Sequence, residues 1–461
     1  MSLALLPVQT RVIPNEPPLV PYRIPIIGHA FSLQKDPKNF LKKLRKQYGH
    51  IFSIYLFGRI VTIVDSEFMH EVYDSDDLSL TANIEDWIPF KLHFGIDTFT
   101  CGEVVTKIIR KYLHSSKDIK IFSERLEQTF TTIIEHRIGN CKNPRTIDSS
   151  LNLITEGFAR SLTCILFNEE KLCNDRDILD AFVSYGSPNG DNYSTIMLLN
   201  FIHPWFYHFI VKYINNPAKK NLDILMRKIK PYIAKRFENR INNDKKDQKS
   251  IDFLQMILSV SNFDKNSFDE LLLGSVLMHI TFAILYPTST FCNAVILEYA
   301  TRLEYWQELQ DEQSNIVQEY GNSLSYESVL KMEKLDSFIK ESARTYGTTH
   351  ILIGKKFTFS NGIEVPYGRR IALDFSMIHG EESGIRNADM FDGFRYVGMN
   401  SSFTYINREV LTFGLGRRAC PGRNFATYVI KITTKSGQKS PYKVIMGSAL
   451  PLEETLIFQN L

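Results

Sequence analysis

The stretch Leu411–Ala426, LTFGLGRRACPGRNFA, constrains this chain more than any other part of the sequence. Cys420 lies in a loop punctuated by glycines and flanked by arginines, and the residues after Gly422 have the composition of a helix start. A thiol at a helix N-terminus beside cations has a lowered pKa, because the helix dipole and the guanidinium groups favour the anion. The stretch therefore predicts a metal-binding thiolate, and the alternative is a buried structural cysteine in a glycine loop.

The spacing of five residues in this stretch resembles the haem-binding signature of the cytochrome P450 family: Phe413, Gly416, Arg418, Cys420 and Gly422. The resemblance implies that Cys420 ligates the iron, and that a thiolate ligand pushes electron density onto it and favours O–O cleavage. It also implies that Phe413 shields the sulfur and that Arg418 pairs with a haem propionate, as guanidinium groups pair with carboxylates. Gly416 would make the turn, and Gly422 would let the next helix pass close to the porphyrin.

A second signature lies upstream, in LDSFIKESARTYG. Its Glu341 and Arg344 are three residues apart and therefore share one face of a helix. The P450 family has Glu-x-x-Arg at this place with a partner arginine from a downstream loop, which ADMFDGFRYV matches at Arg395. The resemblance implies a buried charge network that holds the cysteine loop in place, whereas an isolated pair of this kind would be a surface ion pair.

Composition fits a globular protein with a sizeable core, because 44% of the 461 residues are hydrophobic and 23% are charged. The net charge of +3, without a long basic stripe, argues against nucleic acid as a partner. Length alone suggests about three domains, but no linker divides the chain. We expect a proline-rich segment without a transmembrane anchor at 1–30 and a single haem-thiolate catalytic domain at 31–461. The resemblance implies a mainly α cytochrome P450 fold, with a long central helix over the haem and small β-sheets on one side.

Cysteine spacing and hydropathy bear on the compartment. The six cysteines form no CxxC pair, which fits a reducing environment. No apolar run of about 18 residues is evident, so no bilayer span is expected. The resemblance implies a place on the cytosolic face of the endoplasmic reticulum membrane, with the aromatic patch Phe201–Phe209 in the lid over a substrate channel. A Trp-bearing surface suits interfacial binding, and ordinary helix packing is the alternative.

The resemblance to the P450 family also implies substrate and haem contacts for residues at corresponding positions. Trp87 and Phe90 lie in an irregular aromatic stretch that corresponds to the substrate-pocket loop, and core packing is the alternative. The next helix should offer a basic group to the haem, and without the usual Trp-x-x-x-Arg pattern we take Lys111 as the candidate. Lys355 is the candidate for the second propionate. The neighbouring basic residues that remain open for these roles are Lys107, Arg110 and Lys356.

A capping box at Ser267–Glu270 predicts the start of a long apolar helix. The resemblance implies that this helix crosses the distal face of the haem, where the family has a small pair, a polar residue and a proton-relay threonine. Here Ala283 keeps the small position, but Pro287 replaces the threonine and removes a backbone donor. Thr288, one residue later, is the candidate relay hydroxyl.

The resemblance implies a haem-dependent monooxygenase that inserts one oxygen atom from O2 into a lipophilic small molecule of the sterol, fatty acid or terpenoid class. Haem b would be the cofactor, and NADPH would supply electrons through an NADPH–cytochrome reductase. Pro287 leaves two alternatives open. A lipid hydroperoxide isomerase or dehydratase of the same family starts from an existing O–O bond and needs no positioned proton donor. A degenerate haem-binding protein without catalysis is the other.

Overall fold

The computed structural model describes residues 14–112, 116–139, 145–186, 204–241, 252–260, 269–321, 326–346, 349–374, 378–380, 384–438, 442–446 and 456–460. These residues are mostly helical. Two of the sequence predictions, the cap at Ser267 and the aromatic residue Phe201, lie outside the described residues. The side chain of Trp87 also lies outside them, although its backbone ends a helix.

The α-helices are, in chain order, α1 (Ala30–Lys35), α2 (Pro37–Tyr48), α3 (Met69–Asp74), α4 (Leu80–Trp87), α5 (Phe90–Phe94), α6 (Thr98–Tyr112), α7 (Ser116–Arg137), α8 (Ser150–Phe167), α9 (Glu170–Cys173), α10 (Arg176–Gly186), α11 (Pro204–Phe209), α12 (Pro217–Ile241), α13 (Phe253–Val260), α14 (Glu270–Thr301), α15 (Trp306–Tyr320), α16 (Tyr326–Leu330), α17 (Glu333–Tyr346) and α18 (Arg423–Gln438). A π-helical turn, Ile210–Ile214, follows α11 directly.

The strands are β1 (Ile51–Leu56), β2 (Arg59–Val64), β3 (Leu78–Ser79), β4 (Arg145–Ile147), β5 (Thr349–Gly354), β6 (Phe357–Thr358), β7 (Glu364–Val365), β8 (Arg370–Asp374), β9 (Tyr442–Met446) and β10 (Leu456–Asn460). The largest sheet has the order β1-β2-β8-β5-β3, and only its β2–β8 pair is parallel. Two smaller sheets have the orders β4-β10-β9 and β6-β7.

Two of the antiparallel strand pairs are joined by tight turns. β1 and β2 join through Phe57 and Gly58, which have φ angles of 46° and 79°. Two successive residues with positive φ form the turn that matches the twist of paired strands. β6 and β7 join through Asn361 and Gly362, where the Asn361 side chain accepts a hydrogen bond from the backbone N–H of Ile363.

The central helix α14 organises the core. It packs against α6, α8, α10, α12, α17 and α18. The side chain of Asp269 caps it by accepting a hydrogen bond from the Leu272 N–H at 2.9 Å, as expected of an aspartate at this position. Among the described helices only α14 is long and apolar enough to cross a bilayer, because its only charged residues, Glu270 and Glu298, lie near its ends. The expectation that the sequence holds no such run was therefore wrong, but 56% of its apolar window is buried inside the protein, as in a core helix.

Candidate active site around Cys420

The cysteine loop is shaped by two glycines with positive φ, Gly414 at 75° and Gly416 at 56°. A Cβ atom at Gly414 would lie 2.9 Å from the carbonyl oxygen of Arg418, so this position accepts only glycine without a shift of the backbone. The loop closes where the backbone N–H of Cys420 donates to the Phe413 carbonyl at 2.7 Å. Sequence reasoning selected Gly416 for the turn, while Gly414 carries the tighter steric constraint.

The Cys420 sulfur lies just before the N-terminus of α18, where the sequence predicted a helix start. Burial raises the pKa of the Cys420 thiol, and the opposing effects of the Gly422 N–H and the Arg423 guanidinium do not offset it. The expectation of a lowered pKa was therefore wrong for the chain by itself, because it counted the helix and the arginines but not desolvation. A metal cation bound to the sulfur would reverse this balance, since coordination deprotonates a thiol outright.

Arg418 points its guanidinium at the segment between α3 and β3. It donates hydrogen bonds to the carbonyl oxygens of Val72 at 3.0 Å, Leu78 at 2.5 Å and Ser75. Burial and the neighbouring Arg417 lower the pKa of Arg418, because both disfavour its positive charge. The side chain is thus a partly buried cation, neutralised by no carboxylate contact in the described residues, and an anionic group would complement it.

The predicted charge network forms. The carboxylate of Glu341, with no exposed surface, accepts two hydrogen bonds from Arg344 at 2.8 and 2.7 Å and two from Arg395 at 3.1 and 3.2 Å. The backbone N–H of Asp392 adds a fifth at 3.0 Å. Burial alone would raise the pKa of Glu341, but these hydrogen bonds outweigh it and hold that pKa below its usual value. The three charged residues are therefore a buried unit rather than a surface ion pair.

His379 connects this network to the cysteine loop. Its carbonyl oxygen accepts a hydrogen bond from Arg344 at 3.1 Å, and its Nε2 accepts one from the backbone N–H of Leu411 at 2.9 Å. Burial lowers the pKa of His379 to about 4, which keeps the ring neutral and Nε2 able to accept. Sequence reasoning missed this role, because His379 belongs to neither signature.

A buried ion pair fixes α18 against α17. The Lys431 ammonium lies 2.5 Å from Asp336, whose other carboxylate oxygen accepts a hydrogen bond from the Phe403 N–H at 2.6 Å. The ring of Phe403 packs on that of Phe413 with centroids 4.8 Å apart. The Asp336 carboxylate therefore contacts both α18, the helix after Cys420, and the backbone of Phe403, whose ring packs on Phe413 before Cys420. A lysine inside the apolar run FATYVIKI was the sequence signal for this pair.

The middle of α14 has an accessible face. Ala283 and Pro287 are exposed although they lie inside the longest helix of the core. The helix continues through Pro287. The hydroxyls of Ser289 and Thr290 donate hydrogen bonds to backbone carbonyl oxygens one turn earlier in the helix. Thr288 is only 7% exposed and lies about 140° around the helix from Ala283. The candidate relay hydroxyl therefore does not share the accessible face.

Lys111, Lys355 and Phe90, the remaining predicted contacts, have other surroundings in this structure. The Lys111 side chain is exposed, with its ammonium 4.9 Å above the ring of Tyr112. Lys355 is 75% exposed and pairs with Asp77 at 3.2 Å, at the outer end of β5. Phe90 has no exposed surface, so in this structure it packs behind Phe282 instead of facing an open pocket.

The metal-binding side chains around Cys420 suit a metal whose other ligands come from a cofactor. Within the described ranges no group of three or more His, Cys, Asp or Glu residues could hold a metal ion, so Cys420 is a single soft ligand. A Cβ atom at Gly422 would lie 3.9 Å from the sulfur and 3.9 Å from Ile109, and would fill the space beside the sulfur. One thiolate, a small residue next to it and a nearby buried cation fit a haem with its carboxylates.

Comparison with known proteins gives a consistent result. A sequence profile described as Cytochrome P450 matches residues 17–436. The chain is 29% identical to the cytochrome P450 monooxygenase AtmP of Aspergillus flavus over 52% of its own length and 48% of that protein. It is 27% identical to janP of Penicillium janthinellum over 72% of its length and 67% of that protein.

A third relative is the cytochrome P450 monooxygenase 71 of Postia placenta, to which the chain is 31% identical over 44% of its own length. The chain matches about half the length of AtmP and 42% of the Postia protein. The profile match is the broader observation, because it spans both signatures, the central helix and the largest sheet. On this match and the geometry around Cys420, the chain belongs to the cytochrome P450 family.

Proposed function

We propose that this chain is a haem-dependent monooxygenase that inserts one oxygen atom of O2 into a lipophilic small molecule. The observation that carries the proposal is the pairing of one sulfur ligand, Cys420, with an accessible helix face at Ala283. The proposal takes residues 31–461 as one catalytic domain. Sterols, fatty acids and terpenoids are the substrate classes considered.

In this proposal Cys420 ligates the iron of haem b, which supplies O2 binding and activation when bound. Arg418 neutralises a propionate, since its guanidinium is partly buried without a carboxylate partner in the described residues. Phe413 shields the sulfur from water. Gly422 leaves the space beside the sulfur free of a side chain. Ala283 leaves room for O2 on the accessible face of α14. Lys111 and Lys355 remain candidates for haem contacts only if their exposed side chains turn inward.

Proton delivery is the part that Pro287 changes. Pro287 has no N–H, so the carbonyl of Ala283 loses its helical donor and can accept a hydrogen bond from water at the accessible face. Thr288 makes no hydroxyl hydrogen bond within the described residues, in contrast to its neighbours Ser289 and Thr290. We propose that water held at the Ala283 carbonyl delivers protons, with Thr288 contributing only if the helix rotates.

Pro287 also favours one second candidate, a lipid hydroperoxide isomerase or dehydratase, which needs no proton relay. A non-catalytic haem protein is the third reading. Electrons for the first candidate would come from NADPH through a reductase that docks on the cysteine side, where Arg417 is 68% exposed and Arg423 lies beside Cys420. Only the monooxygenase requires that reductase.

The test starts with the absorption spectrum of the dithionite-reduced protein under carbon monoxide. We expect a strongly red-shifted Soret band that Cys420→Ala abolishes and that Cys292→Ala, a matched buried cysteine far from the loop, retains. Turnover of a lipophilic panel should then require both NADPH and reductase. Turnover of a lipid hydroperoxide without them would favour the isomerase, and a thiolate spectrum without any turnover would favour the non-catalytic reading.

We also propose that α11 and the following π-turn contact a membrane surface, on the cytosolic face of the endoplasmic reticulum in the cell. Trp205, Phe206, Phe209, Tyr213 and Ile214 are all exposed, with exposures from 43% to 68%. A cluster of exposed aromatic side chains is more than a soluble surface normally carries. The inner side of α11 is fixed, because buried Tyr207 hydrogen-bonds His93 of α5, whose carbonyl accepts a bond from Asn216 at 3.0 Å.

Vesicle sedimentation measures this contact. The double variant Trp205→Ser/Phe209→Ser should weaken binding to phosphatidylcholine vesicles at least ~10-fold, because it removes two large apolar groups from the interface. Tyr367→Ser is the matched control, since Tyr367 is 81% exposed but stands apart from other exposed aromatic residues. Equal vesicle binding by the double variant and the wild type would contradict the proposed contact.

A further inference from the structure

His279 is a largely buried histidine whose ring has no hydrogen-bond partner among the described residues. It lies on α14 one turn before Ala283, and its Nδ1 is buried with no partner in the described ranges. Neither ring nitrogen makes a hydrogen bond to any part of the chain that the structure describes. The other deeply buried histidines have partners: His93 with Tyr207, His350 with Tyr73 and His379 with Leu411. His279 differs from these histidines because no ring nitrogen is hydrogen-bonded in the described residues, and a buried polar ring of this kind calls for an explanation.

The surroundings of His279 are aromatic except on the side that faces α6. Its ring centroid lies 5.3 Å from that of Phe90, which also packs on Tyr185 and Phe282. On the facing helix α6, Gly102 contributes no side chain, and a Cβ atom there would lie only 3.8 Å from Nε2 of His279. Burial lowers the pKa of His279 to about 4. The ring is therefore neutral at pH 7, with one N–H donor and one acceptor.

His279 shares the accessible face of α14 with Ala283. Four residues of helix advance about 6 Å along the axis and rotate only about 40° past a full turn. A ligand held beside Ala283 can therefore reach His279 with a polar group about 6 Å away along the helix axis. The neighbouring rings on this part of α14 are those of Phe282 and Tyr286, which stack with centroids 5.6 Å apart.

We propose that His279 is a specificity-determining residue that hydrogen-bonds one neutral oxygen of the substrate, a hydroxyl or a carbonyl. The inference rests on the proposed monooxygenase function and narrows its substrate class. It selects lipophilic molecules that already carry an oxygen about 6 Å from the carbon to be oxidised. A carboxylate fits less well, because a neutral imidazole among aromatic rings does not compensate a buried charge.

The test compares rigid ligands with one carbon cage: adamantane, 1-adamantanol, 2-adamantanone and 1-adamantanecarboxylate. Their dissociation constants are measured for the wild type and for His279→Phe, which keeps an aromatic ring but no donor or acceptor. We expect the alcohol and the ketone to bind about 5- to 10-fold more weakly to the variant. The dissociation constant of adamantane should change less than about two-fold, because adamantane cannot form the hydrogen bond that the substitution removes. His279→Gln, which keeps a donor and an acceptor, should recover part of the difference.

Two readouts separate this inference from the proposed function. The ligand-dependent shift of the unfolding midpoint measures binding anywhere on the protein, including binding that does not change the iron. The Soret shift of the haem-loaded protein measures only binding that changes the surroundings of the iron. If His279→Phe loses the preference for oxygenated ligands but the protein shows no thiolate haem spectrum, the binding role of His279 stands and the monooxygenase proposal is wrong. An equal change for adamantane and its oxygenated forms, or tightest binding of the carboxylate through His279, would overturn the site.

Discussion

The two sides of the candidate active site differ in how one buried group on each is paired: the Glu341 carboxylate on the cysteine side, here called the paired side, and the His279 ring on the central helix, here called the open side. On the cysteine side, Glu341 accepts five hydrogen bonds and His379 links its partner Arg344 to Leu411. On the side of the central helix, His279 has no described partner and the Ala283 carbonyl faces a proline. A fully paired carboxylate fixes one geometry, whereas a ring without a described partner is available to a ligand. Glu341 therefore holds the residues around it in one arrangement, while His279 is open to a further hydrogen bond.

The largest expected effect comes from breaking the paired side. Glu341→Gln removes the charge between two buried arginines and should cost about 3–5 kcal/mol of unfolding free energy, as loss of one partner of a buried ion pair does. Urea unfolding and the haem-to-protein ratio measure it, and both should fall. The same substitution at Glu364, paired with Lys356 on the surface, should cost under about 1 kcal/mol. Equal costs at the two positions would show that the network does not hold the loop.

Acid titration compares the two sides through one histidine on each. Burial lowers the pKa of His379 and of His279 to about 4, from an ordinary value of 6.5. Unfolding therefore takes up protons below pH 6.5, and stability is full above that pH and falls as pH drops towards 4. Each histidine contributes a slope approaching about 1.4 kcal/mol per pH unit in this window.

Substitution separates the two histidines. His379→Phe should already lose about 1–3 kcal/mol at pH 7, because the Leu411 N–H is left without its acceptor. His279→Phe should lose little or nothing at pH 7 and should flatten the acid slope by one proton. Urea unfolding at pH 7, 6 and 5 measures both, with exposed His136→Gln as the control. A loss at pH 7 as large for His279→Phe as for His379→Phe would show that His279 has a structural partner.

The smallest expected effect concerns Pro287. Pro287→Thr restores a helical N–H and adds a hydroxyl on the accessible face, so the fraction of NADPH that yields product instead of peroxide should rise a few-fold. The gain is small because water already serves the Ala283 carbonyl in our proposal. Pro287→Val is the matched control, since it restores the N–H and the shape without the hydroxyl. If valine and threonine raise product yield equally, the missing hydroxyl is not what limits coupling.

The paired side was largely predictable from sequence and the open side was not. Glu341, Arg344 and Arg395 belong to spaced signatures, so their meeting in the structure follows from a pattern that local sequence carries. His379 lies in neither pattern, and its contact with Leu411 spans 32 residues.

Burial explains the other failures of sequence reasoning. The pKa of Cys420 was expected to fall because a helix start and arginines are visible in the sequence, while the desolvation that raises it depends on tertiary packing. His279 lies in an apolar run that any core helix could have, and only the packing around it reveals that its ring lacks a partner among the residues the structure describes. Phe90 was assigned to a pocket by position along the chain, yet its ring is completely buried.

The bond between His93 and Tyr207 has a kinetic consequence. It joins α5 to α11 inside the protein, and the Asn216 side chain holds the same His93 carbonyl. Two segments that share buried hydrogen bonds separate together, so access for a large ligand beneath them would be one concerted opening instead of two independent loop motions. Association rates for bulky ligands would then be set by the frequency of that opening, and would level off at high ligand concentration.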